Sequence, residues 1–126
     1  MTTGIIVFAH GSRIEPANQA VRNAAAELAR VGHYPHVEAA FLELGHPGLE
    51  EAADLLVASG VERVIITPYF LTPGRHVERD LPALMDRIAN KHKGIELLVT
   101  ESLDGHPGLV QILADRIRTV EPPSLK

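Results

Sequence analysis

Four short runs of apolar and β-branched residues alternate along the chain with longer segments of helical periodicity. A parallel strand is reached only through a crossover connection, so this alternation is typical of an α/β domain with a parallel sheet. The predicted strands are residues 4–9, 37–42, 63–67 and 95–100. The pattern predicts one four-stranded parallel sheet with helices on both faces.

The first and third predicted strands are nearly continuous apolar runs, as expected for central strands buried on both faces. The strand order 2-1-3-4 places these two strands at the centre. It also creates a topological switch point between them, where open α/β sheets bind ligands beyond the carboxyl ends of their strands. We therefore expect the functional residues directly after Ala9 and after Phe70.

Apolar stripes at helical spacing predict the helices that follow each strand. Pro82 lies inside the third stripe, where it should kink the helix or restart it, with Asp80 near the new cap. The pentapeptide GHPGL occurs at 45–49 and again at 105–109, each time after a predicted strand. Both copies are expected to open a helix.

The 126 residues are enough for one domain, which we place at 1–120, followed by a short flexible tail at 121–126. Apolar runs are far shorter than the ~20 residues that span a bilayer, and no secretory signal is recognisable. These features predict a cytoplasmic protein without a membrane partner. A net charge of −4 and the absence of Trp disfavour nucleic-acid binding.

The chain has no Cys, so any bound metal must be held by His, Asp or Glu. Neither the phosphate-binding motif of ATPases nor a dinucleotide-binding glycine motif is present. The sequence therefore predicts no organic cofactor.

Histidine, arginine and glycine follow both central strands. His10 directly follows the first strand, His76 follows the third, and Glu43 follows the second strand on the same expected edge. Two imidazoles and a carboxylate suit a first-row divalent metal, and a neutral imidazole can also accept a proton. His10, His76 and Glu43 are therefore the predicted metal ligands and catalytic residues.

Positive charge surrounds the same expected edge in a chain that is acidic in total. Arg13 and Arg75 would bind a polyanionic substrate, together with Ser12, which lacks the surroundings of a catalytic nucleophile. The alternative is that these arginines are solvated or paired with nearby carboxylates, which applies most to Arg79. The remaining histidines are weaker candidates, and His46 is the best placed of them.

Several segments together resemble the small CbiX/SirB class II chelatases. They are IIVFAHGSR at 5–13, FLEL at 41–44, PYFL at 68–71, PGRHV at 73–77 and DLP at 80–82. The resemblance spans nearly the whole chain. It implies a three-layer chelatase-like fold and ATP-independent insertion of Co²⁺ or Fe²⁺, with Ni²⁺ in archaeal relatives, into sirohydrochlorin for cobalamin or sirohaem biosynthesis.

Carried over residue by residue, the resemblance assigns the active-site histidines to His10 and His76 and the acidic residue to Glu43. It leaves open which metal is used and whether His46 contacts it. The partners implied are the tetrapyrrole, the divalent metal and a second copy of the chain, because the short members of the family resemble half of a longer two-domain enzyme.

Two other functions remain compatible with some of these residues. A non-catalytic carrier of metal or tetrapyrrole would need the same histidine pair as a chelatase. A histidine phosphatase would also use a His after the first strand, but it needs Arg directly before that His, and Ala9 stands there.

Overall fold

The computed structural model describes residues 2–123, which form four strands and four helices in alternation. The strands are β1 (Thr3–Ala9), β2 (Val37–Phe41), β3 (Arg63–Pro68) and β4 (Glu96–Val99). The helices are α1 (Glu15–Gly32), α2 (Leu49–Ala58), α3 (Arg75–Lys91) and α4 (Gly108–Arg118). The predicted alternation is confirmed, and every strand ends within one residue of its predicted bounds.

The four strands form one parallel sheet in the order β2-β1-β3-β4, as predicted. Val7 at the centre of β1 is in register with Ala39 of β2 and with Thr67 of β3. The chain leaves β1 towards one edge of the sheet and β3 towards the other. The switch point between these two strands is therefore where the sequence places it.

Strand β1 connects two hydrophobic cores, one on each face of the sheet. Ile6 and Phe8 pack with α2 and α3, whereas Val7 and Ala9 pack with α1. The residues from Gly4 to Ala9 are all buried. Helices thus lie on both faces, and the end of β1 is fixed from both sides.

Strand β3 is buried on one face only. Ile65 and Thr67 are half-buried, and Leu98, the partner of Ile65 on β4, is exposed. Helix α1 covers β1 and β2, while α4 contributes no buried residue. The expectation that both central strands are buried on both faces is therefore correct for β1 and wrong for β3.

Helix α3 runs through Pro82 and begins at Arg75, so the predicted restart near Pro82 and Asp80 is wrong. A proline in a helix costs a backbone hydrogen bond, but Pro82 lies on the exposed side. Burial of Val77 and Ile88, on either side of it, keeps the two halves of the helix on the sheet.

Both GHPGL pentapeptides open a helix, as expected, because α2 begins at Leu49 and α4 at Gly108. Of the predicted flexible tail, residues 121–123 are exposed and follow the last helix, whereas 124–126 lie outside the described residues. Among residues 2–123, no helix combines the length and apolar character needed to cross a membrane. The cytoplasmic location stays a prediction.

Ion pairs join α2 to the end of α3. Asp54 accepts a hydrogen bond from Lys91 Nζ at 2.7 Å, and its other oxygen lies 2.6 Å from His92 Nε2. The Lys91 ammonium, followed by the His92 imidazole, holds the pKa of the Asp54 carboxyl below its ordinary value. The ionised carboxylate therefore stabilises the contact between the two helices.

We expect Asp54→Asn to lower the free energy of unfolding by ~1 kcal/mol near neutral pH, as for a partly exposed ion-pair network. Because folding lowers this pKa, the stabilisation is complete above about pH 4 and is lost as the pH falls through the folded-state value. Urea unfolding at about pH 7 and about pH 3 measures it, with exposed Asp86→Asn on α3 as the control. Equal losses for the two variants at neutral pH contradict the prediction.

Candidate functional site

The loops at the carboxyl edge of the sheet continue the pairing of the strands. The amide of Glu43 donates to the His10 carbonyl at 3.1 Å, and the amide of Tyr69 donates to the Phe8 carbonyl at 2.7 Å. The end of β1, together with His10, is thereby held between the segments that follow β2 and β3. Residues from three loops meet at one edge.

The His10 side chain is half-buried between the first and third of these loops. Its ring lies 4.7 Å from the Phe70 ring, centroid to centroid, with the two planes tilted by 40°. Its Cε1 is 3.6 Å from where a Cβ on Gly74 would be, an ordinary van der Waals contact. Gly74 caps α3, so the imidazole of His10 packs directly on the start of that helix.

His76 is the second residue of α3, two positions after Gly74, and is exposed. Asp80 lies one helical turn further on. The Arg79 guanidinium, which bonds Asp80 at 2.8 Å, lowers the pKa of the Asp80 carboxyl, and His76 adds to this effect. Because His10 packs on Gly74, the helix start that carries His76 is adjacent to His10, as the strand order predicts.

Glu43 joins this edge through its backbone, while its side chain is exposed. The Glu43 carbonyl oxygen lies 1.6 Å from where a Cβ on Gly11 would be, and Gly11 has φ +92°. Only glycine combines that backbone conformation with so close an approach. The Gly11 that follows His10 thus allows the two loops to touch.

His10, His76 and Glu43 do not form a closed cage. Residues 2–123 contain no group of three or more His, Cys, Asp or Glu side chains that could hold one metal ion together. The arrangement has one imidazole directly after β1, a second in the first turn of α3 and a carboxylate after β2. Any ion bound here keeps coordination positions open to other ligands.

The three predicted substrate-binding residues lie at the same edge, Ser12 and Arg13 in the loop after β1 and Arg75 as the first residue of α3. The Ser12 hydroxyl accepts a hydrogen bond from the Ile14 amide at 3.0 Å, which shapes the turn before α1. Arg13 and Arg75 are exposed, and within the described residues neither forms an ion pair. Arg79 differs, because it pairs with Asp80.

The weaker histidine candidates have local contacts in the described structure. His46 Nε2 lies 3.0 Å from Glu51 Oε1 on an exposed surface, and His92 belongs to the Asp54 cluster. His106 Nδ1 accepts a hydrogen bond from the Gly108 amide at the start of α4. Each of these three side chains therefore has a partner within the protein, and its position requires no bound ligand.

Sequence reasoning missed two residues that hold the loops, Asn18 and Arg22. Asn18 of α1 is buried and bonds the Ser12 backbone and the Leu44 carbonyl. Arg22 lies over the Phe41 ring, 5.2 Å from its centroid, and donates to the His46 carbonyl at 3.2 Å. Asn18 lies in the buried stripe three residues before Val21, so a polar residue at a core position was the available signal.

Comparisons with known proteins agree with this fold. Residues 4–120 match the family model of CbiX. The chain is 37% identical over 115 residues to the chloroplastic sirohydrochlorin ferrochelatase of Arabidopsis thaliana, an alignment that covers 91% of this chain and 51% of that protein. It is 33% identical over 113 residues to the sirohydrochlorin cobaltochelatase of Sulfolobus acidocaldarius, with 90% and 88% covered.

The fold also matches the crystal structure of the sirohydrochlorin chelatase SirB from Bacillus subtilis subspecies spizizenii in complex with cobalt. The TM-score is 0.83 at 25% identity, covering 95% of this chain and 51% of that one. The chain thus spans about half the length of the Arabidopsis and Bacillus proteins and most of the Sulfolobus protein. Since the family model accounts for residues 4–120, the chain belongs to the CbiX family.

Proposed function

We propose that this chain is a chelatase that inserts Co²⁺ or Fe²⁺ into sirohydrochlorin without ATP, in cobalamin or sirohaem biosynthesis. The two relatives described above, a ferrochelatase and a cobaltochelatase, support this substrate and these metals. The observation that carries the proposal is the packing of the His10 ring on Gly74, the cap of the helix that bears His76. Two imidazoles are thereby presented at one edge of the sheet.

Metal insertion exchanges one divalent ion for two protons of the macrocycle, because two pyrrole N–H groups are lost as the ion enters. In the proposed mechanism His10 and His76 bind the incoming ion, and each imidazole nitrogen that releases the ion to the macrocycle then accepts one of these protons. Glu43 attracts the ion or takes a proton onward. The open coordination positions receive the pyrrole nitrogens, and the ion leaves the protein within the product.

The acidic side chains of the tetrapyrrole require positive charge near the histidines. We assign this role to Arg13, in the loop that begins with His10, and to Arg75, next to His76 at the start of α3, with the Ser12 hydroxyl as a further donor. Guanidinium groups bind carboxylates through paired hydrogen bonds, and the unpaired amides at the start of α3 add a partial positive charge. No organic cofactor is part of the proposal.

We also propose that two copies of the chain assemble into the functional enzyme. Helix α4 exposes apolar side chains that no other described element covers. These are Val110, Ile112, Leu113 and Ile117. The uncovered half of the sheet, at Ile65 and Leu98, is a second apolar surface without a helix over it.

A second copy fits both surfaces. SirB is about twice as long as the part that this chain matches, so two copies of this chain supply a comparable length. A groove of about 480 Å³ beside α4, lined by Leu71, Leu109 and Val110, provides an apolar surface for the partner to pack against. Burial of large apolar side chains is the main driving force of such associations.

The first prediction from the proposed function concerns the two histidines. His10→Ala and His76→Ala should each slow metal insertion at least about a hundredfold, because each removes a metal ligand and a proton acceptor. The rate is followed anaerobically from the absorbance of sirohydrochlorin with Co²⁺, Fe²⁺ or Ni²⁺ and no ATP. His33→Ala, at the far end of α1, is the control.

Two results would contradict the chelatase proposal. Wild-type protein that binds Co²⁺ stoichiometrically without accelerating insertion is a carrier. Rates that stay at the wild-type value in both histidine variants place the chemistry elsewhere.

The second prediction concerns the arginines. Arg13→Ala and Arg75→Ala should raise the KM for sirohydrochlorin about tenfold and change kcat less, because they remove contacts to the substrate carboxylates rather than ligands of the metal. Steady-state kinetics at fixed Co²⁺ concentration measure both constants, with Arg30→Ala at the end of α1 as the control. A KM unchanged in both variants excludes the assigned role.

The third prediction concerns assembly. Light scattering should give wild-type protein a mass twice the 13.7 kDa of one chain, and Leu113→Asp should shift it towards a single chain. Gln111→Asp adds the same charge at an exposed polar position of α4 and should leave the dimer intact. A monomeric wild type, or equal effects of the two substitutions, contradicts assembly through α4.

A further inference from the structure

Asn18 is the only polar or charged residue that the described part of the chain buries, with 1% of its surface exposed. It lies in the first turns of α1, beneath the loops that carry His10 and Glu43. A buried carboxamide destabilises a fold unless its donors and acceptor are all satisfied. The partners of Asn18 therefore indicate what this position does.

Three of the four side-chain hydrogen bonds of Asn18 go to the backbone of the loops at this edge of the sheet, and the fourth goes to Glu15 of α1. Its Oδ1 accepts from the Ser12 amide at 2.9 Å, and its Nδ2 donates to the Ser12 carbonyl at 2.8 Å. The same Nδ2 donates to the Leu44 carbonyl at 2.9 Å and to Glu15 Oε2 at 3.4 Å. One side chain thus bonds both the amide and the carbonyl of Ser12, in the loop after β1, and joins this loop to the loop after β2.

The bonded residues lie directly beside the candidate catalytic residues. Ser12 is two positions after His10, and Leu44 follows Glu43. Leu44 has φ +58° and Gly11 has φ +92°. A leucine rarely adopts this left-handed conformation, which persists only where the surroundings hold it. The bond from Asn18 to the Leu44 carbonyl supplies such a restraint.

We propose that Asn18 is a positioning residue whose buried carboxamide fixes the His10 loop against the Glu43 loop and so sets the geometry in which the two side chains receive the metal. This inference rests on the proposed function, and it assigns Asn18 no contact with metal or tetrapyrrole. Removing the carboxamide leaves His10 directly after β1 and Glu43 after β2, but it removes the side-chain bonds that fix the distance between the two loops.

The test uses Asn18→Ala and Asn18→Asp in the full chain. Asn18→Asp keeps the oxygen that accepts from the Ser12 amide. It replaces Nδ2 with an oxygen that faces the Ser12 and Leu44 carbonyls, to which it cannot donate. We expect both variants to lower kcat for Co²⁺ insertion tenfold to a hundredfold, the scale of a small misplacement of reacting groups, with the KM for sirohydrochlorin within about twofold. Co²⁺ affinity, measured by calorimetry without the tetrapyrrole, should fall about tenfold.

Val21→Ala is the matched control, because it lies on the same buried face of α1 and loses packing without any bond to the loops. Circular dichroism and thermal unfolding establish that each protein is folded in the assay. If Val21→Ala lowers kcat and Co²⁺ affinity as much as Asn18→Ala does, or if Asn18→Ala lowers neither, the proposal is overturned. It is also overturned if both Asn18 variants fail to fold, since the fold itself then requires the residue.

The Co²⁺ titration separates this inference from the proposed function. If the wild type binds Co²⁺ through His10 and does not insert it, the chelatase proposal fails, while a loss of affinity confined to the Asn18 variants still supports positioning. If insertion is rapid and unaffected by Asn18→Ala, the chelatase proposal stands and the positioning role fails.

Discussion

Strand β1 pairs with β2 on one side and with β3 on the other, and the same backbone bonds continue past the end of the sheet. Glu43 donates to the His10 carbonyl there, and Tyr69 donates to the Phe8 carbonyl. Because β1 is buried on both faces and paired on both sides, packing and hydrogen bonds restrain its carboxyl end relative to its neighbours. The position of His10, the approach of Glu43 and the packing of His10 on the start of α3 all follow from this pairing.

Much of this could be predicted from the sequence, because the apolar patterns that fix the strands are local. The alternation of patterns gives the element order, and the most apolar strands must lie at the centre. Once the order 2-1-3-4 is set, the segments that follow β1 and β3 share one edge, which is why His10 and the start of α3 with His76 lie there. Gly11 could be read as a turn residue, but only the structure shows that the Glu43 carbonyl occupies the space of its missing side chain.

Other features depend on tertiary contacts that no local pattern encodes. Pro82 argues for a helix break, yet burial of Val77 and Ile88 outweighs the lost hydrogen bond. The apolar stripe of α4 looks like that of a core helix, but within residues 2–123 none of the α4 side chains is buried. Asn18 occupies a core position of α1, where its side chain bonds the loops after β1 and β2. Its role is visible only when those loops are in place.

In the proposed enzyme, His10 and His76 bind the same metal ion at the carboxyl edge of the sheet. X-ray absorption spectroscopy of the protein loaded with one equivalent of Co²⁺ can count its imidazole ligands, because imidazole rings scatter characteristically. Two imidazole ligands are expected in the wild type and one in either His10→Ala or His76→Ala. An identical spectrum in the wild type and in both variants would show that the ion lies elsewhere.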